Sequence, residues 1–174
     1  MKRNALLHQL VTHENTFDFI VIGGGATGLG IALDAITRGA SVALFEQDDF
    51  TKGTSSRSTK LVHGGVRYLA QGDVSLVLEA LRERGLLRKN ASHLVKNQSF
   101  LIPCYRWWEG AFYTIGLILY DLMAANLGFG RSFCIGPKRA VKTIPMLRKK
   151  GMKAGVIYHD GQFDDSRLAI NIAQ

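Results

Sequence analysis

Three glycines in this chain are spaced for a phosphate-binding turn. Gly23, Gly25 and Gly28 form a G-x-G-x-x-G pattern directly after a strand-like apolar run over residues 17–22. The first glycine of such a pattern permits a tight turn, the second lets the backbone approach a pyrophosphate, and the third lets a helix pack closely on the strand. The N–H groups that begin this helix face the anion. The pattern predicts a dinucleotide-binding turn, and the alternative is a structural glycine turn in another α/β unit.

The elements that such a site requires follow the glycines. Apolar residues at positions 29, 32, 33 and 36 have the spacing of an amphipathic helix. A second strand over residues 41–45 ends at Glu46, which lies 18 positions after Gly28. A carboxylate at this place accepts hydrogen bonds from ribose hydroxyls and repels the additional phosphate of NADP. The whole segment therefore predicts a dinucleotide-binding strand–helix–strand unit.

A second segment, residues 53–69, is rich in hydroxyl side chains and glycine. Five of the six residues 54–59 are Ser or Thr. Their hydroxyl and backbone N–H groups can extend a pyrophosphate cradle, and Lys60 can supply a cation. Gly64 and Gly65 allow the backbone to approach a flat ligand. The alternative is a polar surface loop that caps a helix.

Residues 53–69, together with the fingerprint over residues 20–46, resemble the flavin-dependent glycerol-3-phosphate dehydrogenases, within the amino-acid-oxidase-like FAD enzymes. Residues 156–168 resemble the segment of this family that leads into a helix after a substrate-domain strand. The resemblance implies an α/β chain with a Rossmann-like FAD-binding fold, truncated here, and the beginning of an α+β substrate domain. It divides the chain into an N-terminal tail (1–16), an FAD-binding segment (17–98) and the start of a substrate region (99–174).

The resemblance also implies an activity. FAD is the expected cofactor, and sn-glycerol 3-phosphate is the expected substrate, oxidised to dihydroxyacetone phosphate by hydride transfer to the flavin. A membrane quinone is the expected electron acceptor. Two alternatives stay open: another FAD-dependent amine or amino-acid oxidase of the superfamily, and a non-catalytic remnant that binds a nucleotide.

Site residues are carried over from the family only where this sequence matches its motifs. For Arg67 the alternative is a cation on a helix surface, and for His63 it is a packed, hydrogen-bonded histidine. No metal ligand is assigned. No catalytic residue is assigned either, because the family's general base is expected beyond Gln174. The expected substrate-binding residues are Arg67 and Tyr68, and the expected cofactor-binding residues are Gly23, Gly25, Gly28, Glu46, Thr54, Ser55, Ser58, Lys60, Leu61 and His63.

The length of 174 residues suits one core of ordinary size and is short for this family. The chain reaches Gln174 within a helix-like pattern, with no glycine, proline or basic stop signal after it. We therefore expect an N-terminal piece of a longer flavoenzyme, which by itself holds FAD weakly and does not oxidise glycerol 3-phosphate.

Composition constrains the partners and the cellular compartment less strictly than the motifs constrain the cofactor. The net charge of +8 favours anionic partners, but no groove-reading element indicates nucleic acid. The basic cluster Arg82, Arg84, Arg88 and Lys89 is expected to be a solvated helix face. Two cysteines without C-x-x-C spacing fit a reduced, cytoplasmic protein.

Spacing also predicts a helix over about 73–88, capped by Asp73, and strands over 99–105 and near 155–159. The most apolar segment is residues 111–125, which Asp121 interrupts and which is short for a bilayer span. It is expected to be a buried core helix. The alternative is a surface that contacts the inner face of the cell membrane, with Trp107 and Trp108 as interfacial aromatics.

Overall fold

The structure is a computed structural model that describes residues 3–12, 16–69 and 71–174, without the side chains of Arg67 and Leu69. It contains two compact units. The first comprises Met1–Thr59 and Asp164–Gln174, and the second comprises Lys60–Phe163. The predicted boundary between residues 98 and 99 falls inside a strand of the second unit, and the division into functional domains stays a prediction.

Helices and strands alternate along most of the chain. In chain order they are α1 (Arg3–Thr12), β1 (Phe19–Ile22), α2 (Ala26–Thr37), β2 (Val42–Phe45), α3 (Thr54–Arg57), β3 (Leu61–Val62), α4 (Val66–Leu69), α5 (Val74–Asn90), β4 (Val95–Cys104), α6 (Glu109–Ala124), a 3₁₀ turn (Ala125–Leu127), β5 (Phe133–Ile135), α7 (Pro137–Thr143), β6 (Ala154–Phe163) and α8 (Asp165–Ala173).

The first unit contains the predicted strand–helix–strand segment. β1 and β2 pair in parallel from Phe19 opposite Val42 to Ile22 opposite Phe45, and α2 connects them. The helix buries Leu29, Ala32 and Ala35, whereas the predicted stripe also includes positions 33 and 36. Those two side chains are exposed, because the two strands cover only part of the apolar surface of α2. α8 completes this unit by packing on α2 and α3.

The second unit is built on an antiparallel sheet with β6 at its centre. β4 pairs with β6 over ten residues, from Val95 opposite Phe163 to Cys104 opposite Ala154. β3 and β5 pair with the other edge of β6, near its two ends. β4 begins four residues earlier than the sequence predicts. Its polar start over residues 96–98 lacks an apolar pattern, and its partner in β6 lies more than 60 residues away.

Two helices form one of the core clusters of this unit. α5 has the predicted position, and the carboxylate of Asp73 caps it by accepting a hydrogen bond from the Leu76 N–H at 3.1 Å. Val77 and Leu81 of α5 pack against Tyr120 and Ala124 of α6. α6 is only partly the buried core helix that the sequence predicts, because a stripe along it faces solvent. That stripe consists of Phe112, Ile115, Leu119 and Leu122.

Candidate dinucleotide site

The glycine-rich turn between β1 and α2 has the geometry that its spacing predicts. Gly23 adopts φ +112°, a conformation that side chains rarely permit. A Cβ on Gly28 would stand 1.9 Å from the carbonyl oxygen of Gly23, so the close approach of helix to strand requires glycine there. A Cβ on Gly25 would meet nothing within 4 Å. Open space at Gly25, at the start of a 12-residue helix, fits a bound pyrophosphate.

Glu46 lies at the end of β2 and faces this turn. Its Oε2 accepts a hydrogen bond from the Gly24 N–H at 2.6 Å, and its Oε1 accepts one from the Asp48 N–H at 3.0 Å. These backbone donors, that of Asp48 first, lower the pKa of the Glu46 carboxyl. An ionised carboxylate has about four acceptor positions, so the carboxylate can also accept from ribose hydroxyls.

A cavity of about 1120 Å³ surrounds the turn. Its walls come from β1, the turn, the first part of α2, Glu46 and the loop that follows it, and the beginnings of α3 and α8. This volume and the mixture of backbone donors, hydroxyls and carboxylates suit a dinucleotide. The predicted residues that line it are Gly23, Gly25, Gly28, Glu46, Thr54 and Ser55.

Several lining residues were missed by the sequence analysis. Thr51 adopts φ +68°, is buried, and donates its backbone N–H to the Gly24 carbonyl at 3.3 Å. Lys52 lines the cavity and pairs with Asp48 at 2.6 Å. Arg57 and Asp165 also line it. Apart from their nearness to Glu46, nothing in the sequence indicates that Thr51 and Lys52 line a binding site. Asp165 reaches the cavity only because α8 packs against α3.

Asp165 brings an unsatisfied acceptor to the cavity. Its Oδ1 is buried and accepts no hydrogen bond from any residue that the structure describes. A buried polar atom without a partner is rare in folded proteins, and it indicates a missing donor. The space at Gly25 suits a phosphate group, and the unsatisfied oxygen of Asp165 suits a hydrogen-bond donor.

A second cavity, of about 530 Å³, lies in the unit formed by Lys60–Phe163. The predicted residues Leu61, His63 and Tyr68 line it, together with the stacked rings of Phe100 and Tyr158, whose centroids are 5.2 Å apart. His63 Nδ1 accepts a hydrogen bond from the Gly65 N–H at 3.2 Å, which places the proton of a neutral ring on Nε2.

Ser58 and Lys60 are not among the residues that line these two cavities, within the part of the chain that the structure describes. Lys60 adopts φ +60° at the start of the second unit. The backbone of Arg67 belongs to α4, but its side chain lies outside the described residues.

The prediction that the basic cluster of α5 is solvated is wrong for Arg84. Arg84 is 2% exposed, and its Nη1 binds Asp160 Oδ1 at 2.5 Å and the Tyr120 hydroxyl at 3.1 Å. Asp160 also lines the second cavity. Arg84 follows Val77 and Leu81 at helical spacing on the buried face of α5. That spacing could have indicated that Arg84 is buried, but the charge of the side chain favoured the prediction of an exposed position.

Comparison with known proteins agrees with this geometry. The chain is 47% identical to the mitochondrial glycerol-3-phosphate dehydrogenase of Homo sapiens, over 95% of this chain and 24% of that protein. It is 44% identical to the mitochondrial enzyme of Saccharomyces cerevisiae, over 99% of this chain and 28% of that protein. The chain thus spans about a quarter of the length of these relatives.

Two solved structures are also similar to this chain. The glycerol-3-phosphate dehydrogenase of Bacillus halodurans, complexed with FAD, matches with a TM-score of 0.68 and 33% identity, over 98% of this chain and 26% of that one. The L-proline dehydrogenase of P. horikoshii matches with a TM-score of 0.63 and 21% identity, over 88% of this chain and 40% of that one, and indicates the fold alone.

These matches confirm the predicted resemblance, the Rossmann-like α/β fold and FAD as the cofactor. Residues 18–174 match the family described as FAD dependent oxidoreductase. The chain, with its glycine-rich turn, the glutamate after its second strand and its dinucleotide-sized cavity, therefore belongs to the FAD-dependent oxidoreductase family.

Proposed function

We propose that the cavity of the first unit binds the ADP half of FAD. The observation that carries this proposal is the contact between Gly28 and Gly23, which leaves no room for a side chain and brings the start of α2 to the turn. The N–H groups at the start of α2 bind the pyrophosphate, and the remaining acceptor positions of Glu46 bind ribose hydroxyls. Thr54 and Ser55 add hydroxyl groups from α3.

We also propose the reaction. The protein oxidises sn-glycerol 3-phosphate to dihydroxyacetone phosphate, and its electrons pass to a quinone. FAD, when bound, supplies the hydride acceptor for this chemistry. The support comes from the relatives at 44–47% identity, which are all named glycerol-3-phosphate dehydrogenases. The amino-acid-oxidising proteins among the solved structures are at most 22% identical, so they do not favour the amine or amino-acid alternative.

Residues of the second unit are assigned to the flavin and the substrate in this proposal. Leu61 and His63 contact the flavin, and Tyr68 donates a hydrogen bond to the substrate from the wall of the second cavity. Arg67 pairs with the substrate phosphate, because a guanidinium makes a planar two-pronged contact with phosphate oxygens. Ser58 and Lys60 complete the cofactor set.

The reaction can be tested in a hybrid enzyme in which this chain replaces the matching quarter of the Bacillus halodurans dehydrogenase. Mixing the FAD-loaded hybrid anaerobically with sn-glycerol 3-phosphate should bleach the oxidised-flavin absorbance. An Arg67→Lys hybrid should keep its FAD and show a KM raised about tenfold, because one charged hydrogen bond is lost. A hybrid that keeps FAD, is not reduced by glycerol 3-phosphate and is reduced by an amino acid would overturn the proposal.

We further propose that α6 contacts a membrane surface on the cytoplasmic side. By length and composition alone, the 19 residues Glu109–Leu127 suffice to cross a membrane, as the core helices of many soluble proteins also do. The exposed stripe of α6 includes Ile115, 69% exposed, and Leu122, 71% exposed, and Trp107 precedes the helix. An apolar helix face beside an exposed tryptophan is typical of an interfacial helix. Asp121, which interrupts the apolar run, accepts a hydrogen bond from the Ser132 N–H at 2.5 Å.

Sedimentation with vesicles of phosphatidylcholine and phosphatidylglycerol tests this contact. Ile115→Glu and Leu122→Glu should each reduce the bound fraction several-fold, because a charge on the lipid-facing side is costly. Met146→Glu is the matched control, since Met146 is 94% exposed in the same unit and lies outside α6. Equal binding by all three variants and the unchanged chain would contradict a membrane role for the stripe.

A further inference from the structure

We propose that Asp165 is a further ligand of the dinucleotide and that its Oδ1 accepts a hydrogen bond from one of the ligand's hydroxyl groups. This inference rests on the proposed binding of FAD. It concerns a residue that neither the glycine fingerprint nor the hydroxyl-rich segment includes. The residue reaches the cavity from α8, more than 100 positions after Ser55.

Asp165 Oδ1 is buried and has no hydrogen-bond donor among the residues that the structure describes. An ionised carboxylate accepts hydrogen bonds and cannot donate them, so only a donor group relieves the cost of its burial. Asp165 lines the cavity, which makes a bound ligand the available source of that donor.

Asp165 is not needed to begin α8. The neighbouring Asp164 performs that task, because its Oδ1 accepts the N–H of Arg167 at 3.1 Å. An aspartate at the next position is therefore free of the capping role, although the two side chains are adjacent in sequence. This division of roles also provides a control residue.

Contacts within the first unit hold Asp165 at the cavity wall. The Ser166 hydroxyl donates a hydrogen bond to the Ser55 carbonyl at 3.3 Å, which joins the start of α8 to α3. Thr54 and Ser55 of α3 line the same cavity as Asp165. A hydrogen bond from a side chain of α8 to the backbone of α3 therefore holds the wall near Asp165.

The chemical class of the donor follows from charge. A carboxylate repels phosphate oxygens, so Asp165 does not bind the pyrophosphate. The neutral donors of FAD include the hydroxyl groups of the adenosine ribose and of the ribityl chain, which flank the pyrophosphate in the chemical structure. Asp165 thus repeats, from α8, the type of contact that Glu46 makes from β2.

Titration of the full chain with FAD and with ADP tests the proposal. Asp165→Ala should weaken FAD binding about 10- to 100-fold, the loss expected for a hydrogen bond to a charged group. Asp164→Ala is the matched control, which removes the cap of α8 and should leave FAD affinity within about twofold of the unchanged chain. Loss of ADP affinity to the same degree would place the donor in the ADP half, where the ribose hydroxyls lie, and loss confined to FAD would place it in the half that carries the ribityl hydroxyls.

Thermal unfolding without FAD gives an independent measurement. Asp165→Ala should unfold at the same temperature as the unchanged chain or higher, because it removes an unsatisfied buried acceptor, whereas Asp164→Ala should unfold at a lower one. Unchanged FAD affinity in a folded Asp165→Ala chain would overturn the inference and leave FAD binding intact. An unchanged chain that does not bind FAD would overturn the proposed function and this inference together.

Discussion

The hydroxyl of Tyr120 accepts a hydrogen bond from the backbone N–H of Gly64 at 2.8 Å, across 56 positions of sequence. A Cβ on Gly64 would stand 2.5 Å from the same hydroxyl, so this contact requires glycine. The hydroxyl also donates to Asp160 Oδ2 at 3.2 Å and lies 3.1 Å from Arg84 Nη1. The segment that carries His63 is therefore fixed to the helical core by a buried polar cluster of Arg84, Tyr120 and Asp160.

Tyr120→Phe should lower the free energy of unfolding by about 1–3 kcal/mol, because the buried N–H of Gly64 loses its acceptor. Chemical denaturation monitored by circular dichroism measures this change. Tyr105→Phe is the matched control, since the Tyr105 hydroxyl bonds the Arg148 carbonyl at an exposed position. Equal losses in the two variants would contradict a special role for the buried cluster.

Alkaline pH should destabilise the chain through Tyr120. Burial, and then the neighbouring Asp160 carboxylate, raise the pKa of Tyr120 well above its usual range. The unfolded chain therefore loses this proton first, so stability falls as the pH rises above the ordinary tyrosine pKa of about 10, by at most about 1.4 kcal/mol per pH unit from this group. Unfolding measured over a pH series should show a shallower alkaline loss in Tyr120→Phe. Identical slopes would contradict the assignment.

Arg84→Met should destabilise the chain by about 3–5 kcal/mol, because it leaves the buried Asp160 carboxylate without its cation. The control is Arg38→Met, which breaks the exposed pair between Arg38 and Asp34 and should change stability little. Equilibrium unfolding of both variants provides the comparison. Similar small effects would show that Arg84 is solvated in solution, as the sequence first suggested.

Glu46→Gln should weaken FAD binding about tenfold, because ribose hydroxyls lose a charged acceptor. Asp49→Asn is the control, since Asp49 is not among the cavity-lining residues that the structure describes. The pKa of Glu46 is lowered in the folded chain. The contribution of its carboxylate to FAD affinity is therefore present above the ordinary pKa range of glutamate and is lost only as the pH falls through the lowered pKa. Titrations at several pH values should therefore show an acid loss of affinity that the Gln variant lacks. An equal loss of FAD affinity at acid pH in the Glu46→Gln variant would exclude Glu46 as the group that titrates.

The local features of the fold could be predicted from the sequence. The turn at Gly23 and Gly28, α2 and β2 are adjacent in the chain, so glycine spacing and apolar periodicity suffice to indicate them. The Asp73 cap of α5 is local in the same way, since its partner is the Leu76 N–H three residues later.

The remaining features depend on contacts between distant residues. Arg84 is buried in a pair with Asp160. The two residues lie 76 positions apart, and no periodicity in the sequence indicates that they pair. Asp165 reaches the dinucleotide cavity because the chain returns to the first unit after β6. The left-handed conformation of Thr51 is set by its contact with Gly24, and Thr is not a residue type that predicts it.

Titration of the chain with FAD, followed by flavin fluorescence, tests the central claim with two variants of α2. Gly28→Ala places a Cβ 1.9 Å from the Gly23 carbonyl oxygen, whereas Gly30→Ala places one in open space on the same helix. We expect saturable binding that ADP displaces, retained in Gly30→Ala and reduced at least tenfold in Gly28→Ala, with both variants folded by circular dichroism. A folded chain that does not saturate with FAD, or equal affinity in the two variants, would contradict the assignment of this turn as the dinucleotide site.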